Sequence, residues 1–70
     1  MFSRKYHFFY LTYADKTGNP HGVVLRFPKP FVTDKNLHMG RTVLELPNDA
    51  PVLAVSYLGH MSLKQWNNPA

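Results

Sequence analysis

The chain contains no cysteine, which excludes a disulfide framework and thiolate-ligated metal sites, the usual staples of a domain this small. Acidic residues are scarce too. Asp15, Asp34, Glu45 and Asp49 stand against eight Lys and Arg, for a formal net charge of +4 over 70 residues. Carboxylates this sparse, at turn-forming and helix-capping positions, do not converge as two-carboxylate or two-metal hydrolysis requires. The histidines, His7, His21, His38 and His60, include no pair at helical i, i+4 spacing and no His-Glu-x-x-His. Neither a metal nor any other cofactor is therefore expected. No block of five or six like charges marks a polyelectrolyte tail. The longest low-charge stretch, Ala50 to Met61, falls short of the roughly 20 residues that cross a bilayer as a helix. The opening Met1-Phe2-Ser3-Arg4-Lys5 lacks the layout of a signal peptide, so cytoplasmic residence is the expectation.

Rings, by contrast, are plentiful. Lys5 to Tyr13 reads as a strand with Tyr6, Phe8, Tyr10 and Thr12 on one face and His7, Phe9, Leu11 and Tyr13 on the other. "ADKTGNPHG" follows, rich in residues that turn the chain, and "GVVLRF" (22–27) returns as a second strand ended by Pro28 and Pro30. Residues 31–46 are ambiguous. Thr33 or Asp34 would cap a helix whose apolar stripe includes Leu37 and Leu44, yet Gly40 costs a helix about 1 kcal/mol and "RTVLEL" also alternates as a strand does. "LPNDAP" breaks the chain again. "VLAVSYLGHM" is apolar on both faces, the pattern of a strand covered on each side or using one face for assembly.

The expected fold is α+β: a small antiparallel three-stranded sheet with one helix, in the order β-β-α-β, with a four-stranded antiparallel meander as the alternative. One domain over residues 1–66 and a disordered tail at 67–70 complete the layout. One helix covers one face of a sheet. If the Tyr6, Phe8, Tyr10 side forms the core, then Phe9, Leu11, Tyr13, Met61 and Trp66 fall outside it, and apolar surface of that extent marks an interaction site.

The run "FFYLTYADKTGNPHGVVLRFPKPFVTDKNL" followed by "PVLAVSYL" resembles a group of very short phage and prophage proteins. The resemblance rests on Tyr10 and Tyr13 in the first strand, Gly18 and Asn19 in the turn, Val23 to Phe27 in the return strand, Thr33 and Asp34 at the helix start, and Val52 to Tyr57 in the final strand. It implies a setting among mobile-element genes, where chains this short bind and block host machinery, and it carries no catalytic residues.

Function is thus expected to be non-enzymatic: binding to a host protein or complex, such as one that handles nucleic acid or serves defence, in the manner of an anti-CRISPR protein. Tyr10, Tyr13 and Trp66 would anchor in the partner while Arg26, Lys29 and Arg41 steer approach to an acidic surface. The second expectation is a nucleic-acid module in which Tyr6, Phe8 and Tyr10 stack on bases beside Arg4, Lys5 and Arg26. A metal-independent ribonuclease using His7, His60, Arg26 and Tyr10 on a shared sheet face is the third. A second copy of the chain is a further candidate partner, by strand addition at the hairpin edge.

Overall fold

A computed structural model describes residues 4–68. β1 (Lys5–Ala14) and β2 (Pro20–Phe27) form an antiparallel hairpin, α1 (Asp34–Val43) follows, and β3 (Val52–Ser62) leads into a one-turn helix, α2 (Leu63–Asn67). The strand order is β2-β1-β3, all antiparallel, so the most aromatic strand is the central one. The fold is α+β, with a three-stranded sheet and one main helix.

The hairpin turn is held by Asp15. Its Oδ1 accepts from the Thr17 and Asn19 backbone N–H groups at 2.9 Å and from the Thr17 hydroxyl at 2.7 Å, and Oδ2 lies 2.8 Å from His21 Nε2. The Thr17 hydroxyl first, then His21, hold the Asp15 carboxyl well below the usual carboxylate range.

The ambiguous segment is helical because Thr33 starts it with a complete capping box. The Asn36 N–H donates to the Thr33 hydroxyl, and the Thr33 N–H donates to the Asn36 side-chain oxygen. The helix stops at Val43, short of the apolar stripe's end at Leu46. There the Leu46 N–H donates to the Arg41 carbonyl and the Glu45 N–H to that of Thr42, with Glu45 at φ 58°. This is a Schellman ending with glutamate in the left-handed position where glycine is usual.

The core lies on the Phe9, Leu11, Tyr13 face, joined by Phe27 and flanked by Val23, Leu25, Leu37, Leu44 and Val52. This reverses the expected sides: the face that carries Phe9, Leu11 and Tyr13 is the covered one. Gly40 decides the choice. The Tyr13 ring runs beneath α1 and its hydroxyl donates to the Leu37 carbonyl at 2.7 Å. A Cβ on Gly40 would collide with that hydroxyl and meet Cζ at 2.8 Å. The glycine that argued against a helix is what lets the helix sit down on the tyrosine.

Cover is uneven along the sheet. α1 packs mainly on β1 and β2, leaving β3 exposed at Leu53 (54%), Val55 (47%) and Tyr57 (53%). β3 is therefore an outer strand, which rules out cover on each side, the first of the two readings its apolar sequence allowed. The molecule is a slab of 45 × 25 × 17 Å with a radius of gyration of 13.3 Å, larger than the roughly 11 Å of a compact chain this long. At the C-terminal end, Asn67 closes α2 and the Asn68 N–H donates to the Gln65 carbonyl. The expected disordered tail therefore does not begin at residue 67; Pro69 and Ala70 lie outside the described residues.

Candidate binding face

The sheet face opposite α1 is built by β1 alternation: Tyr6, Phe8, Tyr10 and Thr12 all point away from the helix, on the side opposite Phe9, Leu11 and Tyr13. The register sets Arg26 of β2 across from Phe8 and Val24 across from Tyr10. Arg26 reaches diagonally over the Tyr6 ring, 5.1 Å from its centroid, a cation–π contact. Tyr10 lies over Gly22, where a Cβ would strike its hydroxyl and meet Cε1 at 2.9 Å.

α2 supplies the remaining ring. Ser62 caps it with a second capping box, closed by Gln65, and this short turn lays Trp66 flat on Phe8, centroids 4.8 Å apart and planes 12° from parallel. Phe8 is thereby buried, at 2% exposure, while Trp66 and Tyr10 remain near 40%. Both outer rings are supported from below, so little side-chain entropy remains to be lost when they meet a partner.

Charge is segregated in the same pattern. β1, β2, β3 and α2 contain no Asp or Glu. The acids lie in the hairpin turn (Asp15), at the ends of α1 (Asp34, Glu45) and before β3 (Asp49). A face that carries Arg26 and no carboxylate on its strands attracts anionic surfaces.

The six residues expected to meet a partner divide into two groups. Tyr10, Arg26, Lys29 and Trp66 are exposed, with Lys29 just beyond the end of β2. Tyr13 is fully buried and belongs to the core, so it is no anchor for a pocket on another protein. Arg41 is also committed to the fold: its Nε donates to the Ala50 carbonyl at 2.8 Å, and its guanidinium lies 5.6 Å from the Tyr13 ring centroid. Both point inward because they lie at the junction of α1 and the sheet.

The ribonuclease set does not come together. His7 pairs with Phe27 and His60, whereas Tyr10 and Arg26 lie on the opposite face. What does assemble beside the core is a cluster that residue spacing did not reveal. His7 stacks on His60 at 4.1 Å and 8°, and its Nδ1 is hydrogen-bonded to the Tyr57 hydroxyl at 2.8 Å. Loss of hydration, then the neighbouring His60, lowers the His7 pKa. Only the pairing register of β3 against β1, set by two bulges, unites these positions. Among the described residues, no three of His, Asp and Glu are grouped to hold a metal ion. A depression of about 150 Å³ between Asp15, Lys16, Pro47 and Asp49 is smaller than common small-molecule sites of roughly 300–1,000 Å³.

No family model, curated protein or solved structure matches the chain.

Proposed function

We propose that the protein works by binding, without catalysis, and docks its acid-free aromatic face onto an acidic surface of a host protein, which it obstructs by occupying that surface. The observation that carries this reading is the set of Tyr10, Trp66 and Arg26 held on one face whose strands bear no carboxylate. Aromatic and arginine side chains dominate the energy of protein interfaces, and braced rings bind at low entropic cost. Tyr10 and Trp66 act as anchors, while Arg26 and Lys29 steer the approach. The likeness to short phage and prophage proteins supports a host-directed role.

A second reading follows from the same rings. Tyr6, Tyr10 and the Phe8–Trp66 stack beside Arg26 form a surface on which bases of single-stranded nucleic acid would stack, with the cation taking phosphate. One experiment separates the two. Immobilised protein should retain a partner from a lysate of its host after nuclease treatment, and Arg26→Glu, which reverses an exposed charge and gives up its contact with the Tyr6 ring, should reduce that capture about tenfold. Capture abolished by nuclease, together with oligonucleotide binding that weakens steeply between 50 and 200 mM salt, selects the second reading. Capture indifferent to Arg26→Glu removes both.

A further inference from the structure

The two edges of the sheet are treated differently. β2 is guarded in the manner of natural edge strands, with Pro20 at its start, Arg26 within it and Pro28, Lys29 and Pro30 at its end. β3, the other edge, has no proline and no Lys, Arg, Asp or Glu across its 11 residues, and its apolar side chains are exposed on both faces. Its one protection is a pair of bulges, which leave Leu53 and Leu58 without partners on β1 and bound a regular stretch from Ala54 to Tyr57.

We propose that β3 pairs antiparallel with β3 of a second copy, about a two-fold axis through Ser56, to form a continuous six-stranded sheet. This surface is separate from the proposed docking face. Residues directly opposite in an antiparallel pair share a face, so an axis at Ser56 sets Val55 against Tyr57 of the other copy, and Tyr57 against Val55. An aromatic opposite a β-branched residue is a favourable cross-strand pair, and both side chains lie on the α1 side of the sheet, on the part of that face the helix does not reach. Ala54 then meets the bulged Leu58.

The strand's own register points to another copy as the occupant, since about Ser56 it is self-complementary, Val55 meeting Tyr57 on both sides of the axis. Two chains of net charge +4 repel, and a strand with no charged residue is where that repulsion is least. The axis at Ser56 pairs residues 52–60, roughly 30 Å of edge at about 3.3 Å per residue, and closing it buries on the order of 1,000 Å² in total, the lower limit for a specific interface. The dimer is accordingly reversible and concentration-dependent.

Because the chain has no native cysteine, a single introduced thiol reports the register directly. Ser56→Cys should oxidise to a covalent dimer, since directly opposite Cβ atoms, about 4.5–5.5 Å apart, need close by only about 1 Å to reach disulfide geometry. Val24→Cys, on the guarded side, should not. Sedimentation of the unaltered chain from micromolar to millimolar concentration should show monomer giving way to dimer, with Val55→Lys weakening dimerisation about tenfold or more. A chain monomeric up to millimolar concentration overturns the proposal. So does a dimer insensitive to Val55→Lys, or one that Ser56→Cys fails to trap.

Discussion

Gly40→Ala should destabilise the protein by about 2 kcal/mol, although alanine in place of glycine stabilises an ordinary exposed helix by about 1 kcal/mol. The reversal comes from Tyr13. Its ring is fully buried, its hydroxyl is tied to the Leu37 carbonyl, and the new methyl would need the space that the hydroxyl occupies. Overpacking of this kind costs about 1–3 kcal/mol, and here it also breaks a hydrogen bond worth about 1 kcal/mol. Gly22 is the internal control. Its Cβ would meet the Tyr10 hydroxyl just as closely, but Tyr10 is 42% exposed, so the added methyl can push the ring outward without overpacking a core. Denaturant melts should therefore separate Gly40→Ala clearly from Gly22→Ala. Adding Tyr13→Phe should recover part of the Gly40→Ala loss, because the colliding oxygen is gone; equal losses at both glycines would refute the packing of α1 on Tyr13.

Leu11→Ala should cost about 3 kcal/mol, within the 2–5 kcal/mol typical of truncating a buried leucine. Leu11 is fully buried, in the central strand between Val23 and Val55. A domain of this length holds roughly 4–10 kcal/mol in all, so the variant loses a large part of its stability at ordinary temperature. Val55→Ala, directly across the register from Leu11, should cost under about 0.5 kcal/mol in dilute monomeric protein, since Val55 is about half exposed. The contrast between neighbours in one cross-strand row reads out the uneven cover provided by α1. Similar losses at the two positions would place the helix across the whole sheet.

Much of this architecture was legible in the residues. Asp15, Gly18 and Asn19 marked the hairpin turn, Thr33 or Asp34 offered a cap for a helix that competed with a strand, and the valine-rich final strand was plain. The choice of inner face was not legible, because β1 offers rings on both sides and alternation alone ranks neither. The deciding contact joins Tyr13 to Gly40, two residues far apart in the chain, and a helix-weakening glycine gives no sign of the ring it accommodates. β3 misled for a related reason. Apolar residues on both faces imply cover, but a chain with one main helix has cover for only part of one face, and β1 claims it. The anchor set inherited these errors. Tyr13 and Arg41 were drawn into the junction with α1, while Tyr10, Arg26 and Trp66 stayed outside because Gly22, Tyr6 and Phe8 lie beneath them.

The docking face is tested most directly by photo-crosslinking in the cells that carry the gene, with benzoylphenylalanine in place of Tyr10 or, as a control of similar exposure on α1, Met39. The account predicts a covalent adduct with one host protein from position 10 and none from position 39. Adducts from position 39 with none from position 10 would contradict it.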